Sequence, residues 1–159
     1  MTDVLAIDLD ALTASGVRAL LLDIDNTLLP HHRFGLSDES VQWVASLHGR
    51  GLSACLVSNN WHDDIHARAA QIGLPVVPKS MKPLPFGFLR AARSLGVPAR
   101  QCAVVGDQIF TDVLGGNLLG ATTVLVEPLS SSDLPHTLVL RRIERVIMAG
   151  RQPAGRPGP

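Results

Sequence analysis

Leu20-Leu21-Leu22-Asp23-Ile24-Asp25-Asn26-Thr27-Leu28 is an apolar run that stops in two carboxylates one residue apart. A continuous apolar run of this length reads as a strand buried on both faces, the kind found in parallel sheets. Asp23 and Asp25 then stand at the strand's carboxyl edge, where open α/β sheets bind ligands. Residues i and i+2 of an extended chain project to the same side, so two acids face one small volume.

Four further apolar runs follow: Leu52 to Val57, a short one at Pro75 to Val77 with the character of an outer strand, Cys102 to Val105, and Thr122 to Val126. Helical patterns lie between them. Ser37-Asp38-Glu39 supplies an N-cap and first-turn acids for a helix carrying Val41, Val44, Ala45 and Leu47. Others are predicted over about 63–72, 85–95 and 111–119, with Thr111-Asp112 capping the last of these. Residues 1–18 read as a helical lead-in. Strands alternating with helices predict a Rossmann-like α/β fold: a doubly wound parallel five-stranded sheet with helices on both faces.

The chain has 159 residues, 46% of them apolar and 18% charged, which suits one domain with a real core and argues against disorder. We expect a single domain over 1–149, ending in a helix over about 136–148. Residues 150–159, rich in Gly, Pro and Arg, are expected to form a disordered tail. No apolar run approaches the ~18 residues of a membrane span, and the first ten residues are acidic where a secretory signal is basic. A cytoplasmic location is therefore expected. Net charge is zero, so no global field draws the chain to nucleic acid or membrane. Cys55 and Cys102 sit inside apolar runs and read as buried free thiols. Twelve of the fourteen basic residues are arginine, and the two lysines, Lys79 and Lys82, share one short loop.

The polar punctuation of the strand ends forms a pattern: Asp-x-Asp after the first, Ser58-Asn59-Asn60 after the second, lysine past the third, Gly106-Asp107 after the fourth. A parallel sheet brings all of these to one edge. Phosphomonoester hydrolysis needs rate accelerations up to about 10²¹-fold, drawn mainly from positioning and from neutralising phosphoryl charge. A carboxylate that attacks a phosphate dianion also needs a cation between them. Asp23 and Asp107 are hard oxygen ligands suited to Mg²⁺, and Lys82 or Lys79 adds positive charge. Thr27, Ser58 and Asn59 are the candidate phosphate-binding groups. Asp23 would attack in line to give an aspartyl-phosphate. Asp25 would protonate the leaving oxygen and later deprotonate water.

These residues resemble the four motifs of the haloacid dehalogenase (HAD) superfamily of phosphohydrolases. The likeness covers roughly residues 18–127, and the Gly-Asp-x-x-x-x-Asp form of residues 106–112 looks like its type III branch. More narrowly, Leu-Asp-Ile-Asp-Asn-Thr-Leu, Ser-Asn-Asn, Lys82-Pro83, Gly-Asp-Gln-x-x-Thr-Asp and the late Arg-Arg-Ile-Glu are similar to the YqeG family. That family is in turn similar to phosphatidylglycerophosphate phosphatases. The resemblance implies Asp23 as nucleophile and metal ligand, and Asp25 as acid/base with its backbone carbonyl on the metal. It further implies Ser58 as phosphate donor, Lys82 as charge partner and Asp107 as metal ligand. Asp112 could hold the lysine or metal waters, or complement a helix N-terminus, and Lys79 remains the other candidate for the lysine motif. Neither interval between the first three motifs has room for a cap domain. An uncapped site implies a large phosphorylated substrate, such as a membrane-lipid headgroup met by peripheral contact, or closure by another subunit in a homo-oligomer.

Blander readings hold elsewhere. His31 and His32 read as solvated loop residues. His62 and His66, four apart on a helix, lack a third metal ligand, and Trp43 and Trp61 read as packing residues. Arg141, Arg142 and Arg145 read as the wet face of the final helix, with an anionic substrate or headgroup as the sharper alternative. Two other functions stay open at this point. One is a receiver-like phosphate-binding domain without catalysis; the other is a nucleic-acid end phosphatase, disfavoured by zero net charge and the lack of a basic-aromatic strip.

Overall fold

A computed structural model describes residues 4–25, 27–28, 37–60 and 64–129. Five parallel strands form its sheet: β1 (Ala19–Leu22), β2 (Ser53–Val57), β3 (Val76–Val77), β4 (Cys102–Gly106) and β5 (Thr122–Leu125), in the order β3-β2-β1-β4-β5. β1 is central, pairing Leu21 with Cys55 on one side and with Val104 on the other. All four of its residues are buried, as the unbroken leucine run requires.

Strand periodicity sorts the core into two layers. Leu20, Leu22, Ala54, Leu56, Ala103 and Val105 face one way and pack with helices α1 (Leu9–Ala14), α2 (Asp38–Gly49) and α3 (Asp64–Ile72) through Leu9, Trp43, Leu47, Ile65 and Ile72. Ala19, Leu21, Cys55, Val57, Cys102 and Val104 face the other way. There they meet α4 (Phe86–Ser94) through Phe88, Ala91 and Ala92, and α5 (Leu114–Leu119) through Leu119. Each large apolar side chain so buried is worth ~1.5–3 kcal/mol. The exposed Arg50–Asp10 ion pair between α2 and α1 is of a kind worth about 1 kcal/mol at most, so the two apolar layers hold the fold.

The predicted architecture stands, as do the helices expected after the first, second and third strands, and Ser37 caps α2, its Oγ accepting from Ser40 N at 3.2 Å. Two local expectations are corrected. The lead-in is not one helix but a 3₁₀ turn (Val4–Ala6) followed by α1. Thr111-Asp112 does not cap a helix: residues Ile109–Val113 form a wide π-type turn, with Val113 N–H donating to Gln108 C=O, and α5 begins only at Leu114. The wider turn brings Asp112 inward, where it is 1% exposed. Trp43 is a packing residue, 7% exposed. Cys55 and Cys102 are buried free thiols, and burial pushes the Cys102 thiol up to about 11, so it stays protonated.

The helix expected over 136–148 with its arginines, the tail 150–159, Asn26, His31, His32, Trp61 and His62 lie outside the described residues. Among the described residues no helix is long and apolar enough to cross a membrane. The connections from β1 to β2 and from β2 to β3 each show a single helix among the described residues. The strand order reverses between β1 and β4, so the carboxyl ends of these two strands flank the crevice where such sheets place their ligands.

Candidate active site

At that crevice the chain after β1 delivers Asp23 and Asp25, and β4 delivers Asp107. Asp23 is 7% exposed, Asp107 2%, and Asp25 half-buried. Asp23 is gripped on both oxygens: Lys82 Nζ donates to Oδ1 at 2.5 Å, and Thr27 Oγ1 donates to Oδ2 at 3.2 Å. The same ammonium donates to Asp112 Oδ1 at 2.8 Å. Asp112 Oδ2 accepts from Gln108 N–H and from Thr111 Oγ1, each at 3.3 Å. Asp112 therefore holds the lysine ammonium, one of the placements open to it from sequence. Lys82 is the lysine that enters the site, its side chain 4% exposed, whereas Lys79 lies exposed on the loop.

Ser58, fully buried at the tip of β2, donates from Oγ to Asp25 Oδ2 at a long 3.4 Å and accepts from Asn60 N–H at 3.0 Å. Thr27 is also fully buried, its hydroxyl on Asp23. Asn59 faces the lysine loop: its Oδ1 accepts from Lys82 N–H at 2.7 Å and Ser80 Oγ at 2.9 Å, and its Nδ2 donates to Lys82 C=O at 3.1 Å. Sequence reasoning placed Asn59 beside phosphate and did not foresee this. The only signal was its place next to Ser58, since nothing local says that the loop of residues 78–83 will cross the tip of β2. His66 is exposed on α3.

Oxygen atoms of Asp23, Asp107 and Asp112 lie within 4.8 Å of one another. All-carboxylate donors suit a hard divalent cation. Asp112 is already engaged by three donors. Charge points the same way. Burial raises the Asp23 carboxyl well above the ordinary carboxylate range; Lys82 opposes this, and Asp112 and Asp107 add to it. For Lys82, burial lowers the affinity for a proton, but Asp112 and Asp23 outweigh it and hold the ammonium above the usual lysine range. Among the described residues, the Lys82 ammonium meets two of these three buried acids, Asp23 and Asp112, and an acidic group of this kind suits a dication.

Gly106 makes this packing possible. A β-carbon there would collide with the Asp112 carboxyl, so the wide turn can lie against β4 only over a glycine. Gly106→Ala is expected to push Asp112 off Lys82, lowering aryl-phosphate turnover at least ~10-fold and the melting temperature by several degrees. Thermal unfolding and steady-state kinetics on the same preparation would check both.

Comparison with known proteins gives the family. A family model described as HAD-hydrolase-like matches residues 80–132. The chain is 34% identical over 146 residues to the "Probable phosphatase YqeG" of Bacillus subtilis (strain 168), covering 92% of this chain and 85% of that protein. It is 35% identical over 160 residues to the chloroplastic "Phosphatidylglycerophosphate phosphatase 1" of Chlamydomonas reinhardtii, covering 92% of this chain but only 58% of that longer protein. Among solved structures, a HAD family hydrolase from Deinococcus radiodurans R1 with bound phosphate and sodium superposes with a TM-score of 0.60 at 15% identity, over 80% of this chain and 88% of that one. The chain belongs to the haloacid dehalogenase superfamily of phosphatases, and within it to the YqeG family. It is accordingly an enzyme with a phosphorylated substrate, which sets the receiver-like reading aside.

Proposed function

We propose that this chain is a Mg²⁺-dependent phosphomonoesterase that works through an aspartyl-phosphate on Asp23, with a lipid phosphomonoester of the phosphatidylglycerophosphate type as substrate. The observation that carries the chemistry is the contact of Lys82 with both Asp23 and Asp112, beside Asp107 and across from the Ser58–Asp25 pair. In this reading residues 1–149 form one hydrolase domain.

Asp23 attacks phosphorus in line. A bond forms between its carboxylate oxygen and phosphorus while the bond to the leaving oxygen breaks, and Asp25 gives that oxygen its proton. Asp25, now ionised, takes a proton from water, which attacks the same phosphorus, frees inorganic phosphate and restores Asp23. Thr27 and Lys82 keep the Asp23 carboxylate from rotating, and Ser58 orients Asp25 and offers its hydroxyl to a phosphoryl oxygen. Mg²⁺ held by Asp23, Asp107 and the Asp25 carbonyl would keep Asp23 ionised and neutralise phosphoryl charge. Turnover of p-nitrophenyl phosphate is expected to need Mg²⁺, to vanish with EDTA and to return on readdition. A chain inert on a broad panel of phosphomonoesters with Mg²⁺ present would end the proposal.

The lipid assignment rests on the name of the Chlamydomonas relative and on the surface around the site. Met81 (51% exposed), Leu84 (48%) and Phe86 (59%) stand on the segment that carries Lys82, past the carboxyl end of β3. Three exposed apolar side chains within six residues suit the acyl boundary of a bilayer better than water. Phosphatidylglycerophosphate in vesicles is expected to be hydrolysed faster than sugar phosphates or nucleotides. The Leu84→Ser/Phe86→Ser double variant should lose ~10-fold on vesicles and nothing on p-nitrophenyl phosphate. Preference for the soluble panel would remove the lipid assignment and leave the phosphatase standing.

A further inference from the structure

We propose that Asn59 is a positioning residue for Lys82, holding the lysine's backbone so that its ammonium meets Asp23, and that this is its part in catalysis rather than contact with phosphate. The inference rests on the charge-partner role of Lys82 proposed above.

The orientation of the Asn59 amide is dictated by its partners. A backbone N–H only donates and a carbonyl only accepts, so Oδ1 must face Lys82 N–H and Nδ2 must face Lys82 C=O. The side chain thus closes on both polar backbone groups of one residue, with Ser80 Oγ as a third partner. That residue is the one whose ammonium bonds Asp23 and Asp112.

The loop needs such a fastening. Lys79 and Met81 have φ of 51° and 55°, a left-handed conformation unfavourable for residues with a β-carbon. It persists only where the surroundings hold it. Ser80, between them, is 1% exposed and seated against Gly87, where a β-carbon would strike it. Backbone bonds from Ser80 N–H to Ser58 C=O and from Lys79 N–H to Asn60 C=O tie the first half of the loop to the tip of β2. Asn59 continues that tie to Lys82 itself. β2 pairs directly with β1, so Asn59 transmits the position of the sheet that carries Asp23 to the loop that carries its partner.

The test is a double-mutant cycle. kcat/KM for p-nitrophenyl phosphate with Mg²⁺ is measured for wild type, Asn59→Ala, Lys82→Ala and the double variant, and inhibition by inorganic phosphate is measured in each. A positioning role predicts a loss of ~10²-fold for Asn59→Ala. In the Lys82→Ala background it predicts no further loss beyond about twofold, because the residue being positioned is gone. Adding Asn59→Ala to Lys82→Ala should also leave phosphate inhibition unchanged. Losses that multiply, or phosphate inhibition that weakens further in the double variant, would show Asn59 acting on substrate and overturn the proposal. A wild-type rate for Asn59→Ala would do the same.

Should Asn59→Ala fail to fold by circular dichroism, Asn59→Asp takes its place in the cycle. It keeps the two accepted bonds and sets an oxygen against the Lys82 carbonyl, so it too should be slow, and a wild-type rate would overturn the idea. If Lys82→Ala itself matched wild type, the catalytic reading of the lysine would fail, and the proposal with it. An active wild type with an impaired Lys82→Ala but additive Asn59 effects would remove only the positioning role.

Discussion

Asp23→Asn is expected to lower turnover of any phosphomonoester by at least about 10⁴-fold, the scale seen when a covalent nucleophile is removed. The substitution is nearly isosteric, so the fold should survive: Asp23 lies at the crevice, outside the two apolar layers. The Asp25→Asn variant should fail differently. An aryl leaving group needs little help from an acid, so in kcat/KM, which reports transfer to Asp23, Asp25→Asn is expected to lose much less on p-nitrophenyl phosphate than on an alkyl phosphate. Water attack would still lack its base, so kcat should fall on p-nitrophenyl phosphate too and the phosphoryl group should accumulate on Asp23. Acid-quenched protein from ³²P-labelled substrate would retain label in Asp25→Asn and not in Asp23→Asn. Equal losses on both leaving groups, with no trapped label, would contradict the separation of roles between the two acids.

Lys82→Ala is the second large effect. Removing one fixed donor or cation from a developing phosphoryl charge costs ~10²–10³-fold in rate, and the ammonium at Asp23 is the best placed among the described residues. Lys79→Ala is expected to stay within about twofold of wild type, because that side chain is exposed. Charge adds a stability signature. With the ammonium gone, Asp23, Asp107 and Asp112 remain buried together, and breaking a buried ion pair on one side costs ~3–5 kcal/mol. The melting temperature of Lys82→Ala should therefore fall in EDTA and recover in part with Mg²⁺. A Lys79→Ala enzyme more damaged than Lys82→Ala would reverse the assignment of the lysine motif.

Leu20 to Leu28 determined most of the architecture by itself. A leucine run without polar interruption has to be buried on both faces, and the observed β1 is the central strand with neighbours on each side. Once the other apolar runs are read as parallel strands, their polar ends must share an edge. Asp23, Ser58 and Asp107 were therefore legible as neighbours before any coordinates, because strand direction alone brings them together.

Side-chain partnerships were not legible, because they depend on how separate loops cross. Lys82 is set apart from Lys79 in sequence only by the proline that follows it, which does not show which of the two turns inward. The choice is made by left-handed backbone at Lys79 and Met81 and by the Asn59 amide, which together carry Lys82 inward. Asp112 reads from sequence either as a partner of the lysine or metal waters or as a helix-end acid; it lies in a π-type turn over Gly106 with its carboxylate on the Lys82 ammonium. The order of apolar runs and polar stops thus determined the sheet and its acidic edge. The tertiary structure decided which lysine, which second acid and which amide meet at that edge, because those contacts join residues 21 to 59 positions apart.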